Sequence, residues 1–319
     1  MPAPEFLHEH REFTDLLRAV AEEKSIAPDL VEKDYWIMHC LYGLEKQGYA
    51  FELKGGTSLS KGFNIIHRFS EDIDLRINPP ATINVAVNPR HTKPKHCASR
   101  KAFYNQIAED IAIHGIDQVA RDTDFDDPSG YYRSGGIRLN YQAAFPISAG
   151  VKQGILLELG FDNVTPYIPQ TISSWALDFA RERDIAICDN RAVGVACYHP
   201  GYTLVEKLQT IATKYRQQQQ SGDMPKNFMR HYYDVACLLD HDMVKSFIGS
   251  EDYHAHKATR FPQEDFKISL DENEAFLLSD PNTKALYREN YEATSGLYYQ
   301  SQPSFQSLLD TILNVIQTL

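Results

Sequence analysis

Residues 51–77, FELKGGTSLSKGFNIIHRFSEDIDLRI, constrain the fold of this chain more than any other stretch. They begin with a strand-like run, 51–54, which leads into four small or polar residues: Gly55, Gly56, Thr57 and Ser58. The apolar residues that follow at helical spacing are Leu59, Phe63 and Ile66. A strand that ends in small residues at a helix start presents free backbone N–H groups, which attract phosphate together with the helix dipole. The segment therefore predicts a strand, a phosphate-binding turn and a helix.

Two carboxylates, Asp72 and Asp74, close the same stretch with one apolar residue between them. On a strand, alternate side chains share a face, so both carboxylates point the same way while Ile73, Leu75 and Ile77 favour burial. Two carboxylates side by side in a partly dry site repel each other. A divalent cation relieves that repulsion, and Mg²⁺ (or Mn²⁺) also binds nucleotide phosphates. The interval from Gly56 to Asp72 allows a short helix and a return into a neighbouring strand.

A glycine-rich turn followed by Asp-x-Asp on the next strand resembles the signature of the nucleotidyltransferase superfamily. More narrowly, KGGTSLSKGF and RFSEDIDL resemble the AbiEii/AbiGii toxin family of type IV toxin-antitoxin and abortive-infection systems. Three further blocks agree with that family: VEKDYW at 31–36, Glu206-Lys207-Leu208 and Tyr233-Asp234. The resemblance implies an α+β fold, in which a nucleotidyltransferase-type mixed β-sheet flanked by helices is followed by a helical C-terminal domain. We expect the domains to span residues 1–198 and 199–319.

The resemblance also implies an activity, the Mg²⁺-dependent transfer of a nucleoside monophosphate from an NTP to an acceptor hydroxyl with release of pyrophosphate. Asp72 and Asp74 would bind the metal, and residues 54–58 (Lys54, Gly55, Gly56, Thr57, Ser58) would hold the nucleotide. Lys207 would contact nucleotide phosphates, and Asp234 would orient Lys207 or a second basic group. An ordinary ion pair between two helices explains Lys207 and Asp234 equally well. The family further implies a growth-arresting toxin that acts on tRNA and is neutralised by an antitoxin.

Glu158 is the candidate for a third carboxylate. Strands are predicted at 136–145 and 154–161, and Glu158 lies inside the nearly apolar run of the second one. A carboxylate in such a strand is costly unless it is paired or metal-bound. Since nucleotidyltransferases usually complete their site with a third carboxylate, we assign Glu158 to catalysis and metal binding. The alternatives are a surface glutamate on an edge strand, or Asp162, which we interpret as a turn residue because Asn163 and Pro166 follow it.

Helices are predicted around this sheet and throughout the second half of the chain. The predicted ranges are 5–24, 28–48, 99–114, 173–183, 203–215, 228–239 and 304–319, with a polar loop at 217–222 and short strands at 185–188 and 193–197. The charged residues Glu32, Lys33 and Asp34 are interpreted as a solvated helix face. The basic residues Arg90, Lys93, Lys95, Arg100 and Lys101 would form either a polyanion contact or, as we favour, a solvated loop and helix start.

Composition excludes several classes of protein. The formal net charge of −11 argues against a general polyanion binder, so any nucleic acid must meet a local basic patch. The five cysteines form no Cys-x-x-Cys pair, which argues against a disulfide framework and a zinc site. Neither a signal region at 1–13 nor an apolar run of membrane-spanning length is visible, so a cytoplasmic location is expected. The competing interpretations are a non-catalytic NTP-binding or interaction protein, and an enzyme that nucleotidylates proteins or small molecules.

Overall fold

A computed structural model describes residues 5–148 and 151–319 of the chain. Contacts within the chain define two compact units. The first comprises Met1–Phe63 and Phe69–Tyr198, and the second comprises Asn64–Arg68 and His199–Leu319. The start of the segment 1–13, where no signal region was expected, lies outside the described residues.

The first unit is built on a mixed sheet of seven strands, counted over the described residues. These strands are β1 (Ala50–Lys54), β2 (Asp72–Asn78), β3 (Ile116–Asp122), β4 (Ser134–Tyr141), β5 (Ile155–Gly160), β6 (Tyr167–Ile172) and β7 (Ala192–Tyr198). Their order is β3-β4-β5-β2-β1-β7-β6. The pairs β2–β5 and β1–β7 are parallel, and the other neighbours are antiparallel. The prediction of a mixed sheet is confirmed.

Burial alternates along β2 as its sequence predicts. Ile73, Leu75 and Ile77 lie in the hydrophobic core, whereas the residues between them are only partly buried. The predicted strands at 136–145, 154–161 and 193–197 correspond to β4, β5 and β7, whereas the strand expected at 185–188 is wrong because those residues are irregular. Sequence reasoning missed β3 and β6. Both are edge strands, and β6 contains Pro169, which a strand tolerates at a sheet edge.

Five helices accompany the sheet within the described part of the first unit. They are α1 (Phe13–Lys24), α2 (Pro28–Lys46), α3 (Gly55–Thr57), α4 (Pro94–Asp110) and α5 (Trp175–Glu182). The predicted start of the first helix at residue 5 is wrong, since a 3₁₀ turn, Leu7–Glu9, precedes α1. The second helix lies where it was predicted.

The charged block on α2 differs from its prediction as a solvated face. Glu32, Lys33 and Asp34 are 1%, 2% and 1% exposed. These residues are buried because of tertiary packing. The helix α2 packs against α1, α5, β5 and β7, so little of its surface is exposed to water. Asp34 accepts a hydrogen bond from the Trp175 backbone N–H at the start of α5 (2.8 Å) and pairs with Lys61 (2.7 Å).

The second unit is helical, as predicted for the C-terminal region. Its helices are α6 (Pro200–Ser221), α7 (Arg230–Asp240), α8 (Asp242–Phe247), α9 (Glu251–Arg260), α10 (Gln263–Phe266), α11 (Glu274–Leu277), α12 (Pro281–Glu292) and α13 (Phe305–Val315). The loop predicted at 217–222 is wrong because α6 continues to Ser221. Gln218 explains the difference, since it is buried and accepts a hydrogen bond from the Tyr287 hydroxyl at 3.2 Å. None of the helices in residues 5–148 and 151–319 has the length and hydropathy that a membrane crossing requires.

Arg100 departs from both interpretations of the basic segment around it. Its side chain is fully buried, and its guanidinium donates to the backbone carbonyls of Tyr131 (2.6 Å), Ala86 (2.8 Å) and His91 (2.9 Å). A single side chain on α4 thus ties two loops of the first unit together. Arg100 is a structural residue rather than a polyanion contact.

We expect Arg100→Met to lower the free energy of unfolding by about 3 kcal/mol, because several buried carbonyls would lose a charged donor. The neighbouring residue Lys101 is exposed, so Lys101→Met is a matched control with an expected change within about 0.5 kcal/mol. Urea denaturation followed by circular dichroism measures both. Equal stability of the two variants would contradict the structural role.

Candidate functional site

A row of charged side chains crosses three neighbouring strands of the sheet. Lys54 at the end of β1 is paired in register with Asp74 on β2, and Asp74 is paired with Glu158 on β5. Side chains at paired positions point to the same face of a sheet. The structure therefore brings Lys54, Asp74 and Glu158 together. The edge-strand alternative for Glu158 is wrong, since β5 lies between β4 and β2.

Asp72 lies two residues before Asp74 on the same face of β2. Its Oδ2 accepts from the Lys152 ammonium at 2.8 Å, and its side chain is 23% exposed. Its other oxygen, Oδ1, is buried and has no hydrogen-bond partner among the described residues. This carboxylate therefore keeps one oxygen available for a further donor or cation.

The glycine-rich turn lies directly against Asp74. Gly55 has a φ of +70°, a conformation that side chains disfavour, and a Cβ at this position would overlap the Asp74 carboxylate. The Thr57 hydroxyl donates to the backbone carbonyl of Asp72 at 2.6 Å. The helix that follows the turn ends as a π-helical segment, Ser58–Gly62, so the prediction that it extends to Ile66 is wrong. The turn nonetheless lies against the Asp74 carboxylate and is hydrogen-bonded to the backbone of Asp72.

A pocket of about 280 Å³ opens beside the charged row. Lys54, Asp74 and Glu158 line it, and so do Arg133 and Asp162. Burial, followed by the negative charges of Asp74 and Asp72, raises the pKa of Glu158 to about 7, although Lys152 and Lys54 act in the opposite direction. A carboxyl group with that pKa carries a proton much of the time at neutral pH unless another cation joins the site.

The carboxylates of the site suit a divalent cation that is bound partly by the protein and partly by oxygens of the substrate. Among the described residues, no three His, Cys, Asp or Glu side chains are arranged to hold a metal by themselves. Mg²⁺ does not require such a set, since it is usually held by one or two carboxylates plus substrate phosphates and water. Asp72 and Asp74 provide two carboxylates on one face, and the unpaired Oδ1 of Asp72 is a ready ligand atom. The residues present therefore fit Mg²⁺ or Mn²⁺.

Lys207 and Asp234 lie together in the second unit. Asp234 is fully buried, and its Oδ2 accepts from the Lys207 ammonium at 2.6 Å. The carboxylate also binds the Arg68 guanidinium through two hydrogen bonds of 2.7 Å. Burial alone would raise the pKa of Asp234, but Arg68 and Lys207 together hold it well below its usual range. Sequence reasoning missed Arg68, whose one signal was its position in the RFSEDIDL block.

Further cationic side chains lie close to Lys207. Lys214, which lies two helical turns further along α6, is half-buried, with its ammonium 3.5 Å from His231 Nε2. Burial lowers the pKa of Lys214, and the charges of Lys207 and Arg230 lower it further. Cations that repel one another in this way provide a favourable environment for an anion.

We expect Glu158→Gln to stabilise the protein increasingly as pH rises. The native Glu158 carboxyl keeps its proton up to about pH 7, whereas the unfolded chain releases it near its ordinary value of 4.5. The wild type therefore loses stability between these pH values, and the glutamine variant does not. Urea denaturation in EDTA should show no difference at pH 4 and an advantage of about 2 kcal/mol for the variant at pH 8.

Glu109 on α4 is exposed, so Glu109→Gln is a control that should show no such dependence. A stability difference between Glu158→Gln and wild type that stays constant from pH 4 to 8 would contradict the raised pKa.

One family of known proteins matches most of this chain, whereas the likeness to a solved structure is weak. A solved nucleotidyltransferase-like protein from Paracoccidioides brasiliensis, described as antigenic, is 11% identical and aligns over 72% of this chain and 94% of its own, with a TM-score of 0.37. A likeness that weak supports no conclusion. No curated protein matches the sequence. By contrast, the model of the family described as "Nucleotidyl transferase AbiEii toxin, Type IV TA system" matches residues 39–311. That range holds the glycine turn, the carboxylates and the Lys207–Asp234 pair, and the chain belongs to this family of nucleotidyltransferase toxins.

Proposed function

We propose that the protein transfers a nucleoside monophosphate from an NTP to a hydroxyl group of tRNA in a reaction that depends on Mg²⁺. The observation that carries the proposal is the row of Lys54, Asp74 and Glu158, with Asp72 and the Gly55 turn beside it. Membership of the toxin family implies a nucleotide substrate and an antitoxin partner. The tRNA acceptor and the Mg²⁺ ion are part of the proposal.

The first unit would bind and orient the reacting groups. The acceptor oxygen would form a bond to the α-phosphorus of the NTP. The bond between this phosphorus and the oxygen that bridges the α- and β-phosphates would break, and pyrophosphate would leave. Residues 55–58 would hold phosphate oxygens through their backbone, and Lys54 would contact a phosphate at the end of β1. Asp72 and Asp74 are the proposed cation ligands. Glu158 is the proposed third carboxylate, which would take the proton of the acceptor hydroxyl.

Mg²⁺, when bound, would neutralise charge on the phosphates and increase the acidity of the acceptor hydroxyl. The contribution of the chain is to hold the carboxylates on one face of a rigid sheet, where their mutual repulsion favours a cation. Lys207 is a further proposed phosphate contact. The bidentate bond from Arg68 supports this role, since it fixes the Asp234 carboxylate that orients the Lys207 ammonium.

We expect Asp74→Asn to reduce nucleotide transfer to less than about one hundredth of the wild-type rate without unfolding the protein, because the side chain lies on a partly exposed face rather than in the core. The measurement incubates purified protein with Mg²⁺, total tRNA and each labelled NTP separately. Asp117→Asn is the matched control, since Asp117 is an exposed carboxylate on β3 of the same sheet.

Label on tRNA that disappears in Asp74→Asn but persists in Asp117→Asn would support the proposal and identify the nucleotide. Label on protein or on a small molecule instead would refute tRNA as the acceptor. Equal transfer by Asp74→Asn and wild type would refute the assigned site.

Lys207→Met should raise the KM for the nucleotide and lower kcat/KM by about 100-fold, because a charged phosphate contact is lost. The fold should persist because Arg68 still pairs with Asp234. Lys226→Met, which removes an exposed lysine of the same unit, is the control. Both variants are measured by initial rates over a range of NTP concentrations. Unchanged kinetics of Lys207→Met would show that Lys207 is an ordinary ion-pair partner and not a phosphate contact.

A further inference from the structure

One face of α2 holds the chain segment between β4 and β5. The Asp29 carboxylate accepts from the Ser148 backbone N–H at 2.7 Å and from its hydroxyl at 2.9 Å. One turn further along, Glu32 accepts from the Ala144 backbone N–H at 2.8 Å. Residues three apart on a helix lie on the same side, so these contacts come from a single surface of α2. The buried block that the sequence suggested to be solvated therefore anchors this segment.

Lys33 extends the same surface to Lys152. Its ammonium donates to the Lys152 backbone carbonyl at 2.5 Å and to Glu71 Oε2 at 3.2 Å. The same Glu71 oxygen accepts from the Lys152 backbone N–H at 2.8 Å. Both polar backbone groups of Lys152 are thus bound to one ion pair, whose side chains are 2% and 4% exposed. The backbone of Lys152 is fixed in the interior, although its own side chain is 31% exposed.

The fixed backbone aims the Lys152 side chain at Asp72. Its ammonium lies 2.8 Å from Asp72 Oδ2, and Asp72 directly follows Glu71 in sequence. The pair of Lys152 and Asp72 is thus partly exposed, yet a buried ion pair holds the backbone of Lys152. A buried ion pair is also weak evidence for stability, because desolvation offsets most of its attraction. Stability alone therefore does not explain why both backbone groups of Lys152 are bound by buried side chains.

We propose that Lys152 is a built-in counter-ion of Asp72 that opposes the binding of a divalent cation to this carboxylate, and that Lys33 and Glu71 are positioning residues that hold it there. The inference depends on the proposed role of Asp72 as a cation ligand. The ammonium and the metal compete for the same carboxylate, so Lys152 weakens the binding of a divalent cation to the protein without nucleotide. It also neutralises part of the repulsion among Asp72, Asp74 and Glu158 until a metal arrives.

The test is a Mn²⁺ titration of the full-length protein in the absence of nucleotide, in which electron paramagnetic resonance measures free Mn²⁺. Lys152→Met should lower the Kd for Mn²⁺ by at least about threefold, since a competing cation is removed. Lys152→Arg keeps the charge and should stay close to wild type. Lys267→Met, which removes an exposed lysine of the second unit, controls for net charge.

An unchanged or higher Kd for Lys152→Met would overturn the inference. Asp72→Asn separates this failure from that of the proposed function. If Asp72→Asn binds Mn²⁺ as wild type does, the assigned cation site itself is wrong. If Asp72→Asn abolishes binding while Lys152→Met has no effect, the site stands and the counter-ion role fails.

Glu71→Gln tests the positioning role with little change of shape. It should lower the Kd for Mn²⁺ in the wild-type background and have no further effect in the Lys152→Met background, because both changes act through the same ammonium. An equal effect in both backgrounds, or none in either, would show that Glu71 does not act through Lys152.

Discussion

The parallel pairing of β2 with β5 is the constraint on which the candidate site depends. It joins two segments more than eighty residues apart and sets Asp74 directly beside Glu158. Since the opposite face of both strands is buried, a shift of one residue would turn the carboxylates into the core, and the register is therefore strongly specified. Burial raises the pKa of Glu158, and the negative charge of Asp74, which the same pairing sets beside it, raises this pKa further.

Each unit contains a buried carboxylate that holds a lysine in place. Asp234 binds Lys207 and is itself fixed by Arg68, while Glu71 binds Lys33 and the backbone of Lys152. The Lys152 side chain keeps 31% of its surface exposed, whereas the Lys207 side chain keeps 10%. A flexible lysine loses considerable freedom when it is bound in one position. A buried acceptor that orders the lysine in advance removes this cost from the binding step.

The parts of the fold that could be predicted are those whose signal is local. Alternation identified β2 and β4, a nearly apolar run identified β5, and Pro28 marked the start of α2. Edge strands such as β3 were missed because their polar sequence resembles a loop until a neighbour pairs with it. Arg100 and the Glu32–Asp34 block were misjudged for a related reason. A charged side chain that binds distant backbone groups has the same local sequence as one that faces water.

The sequence by itself determined the local features of this protein: a glycine turn before a strand with two carboxylates on one face, an acidic chain without a Cys-x-x-Cys motif, and helices throughout its second half. Those features depend on residue type and on spacings of a few positions, so they are visible without a fold. Only the tertiary structure decided which partners the charges have. The pairing of Lys152 with Asp72, of Arg68 with Asp234 and of Lys33 with Glu71 joins residues 38 to 166 positions apart. Contacts between residues so far apart in sequence depend on how the strands and helices pack. No local sequence pattern therefore predicts them.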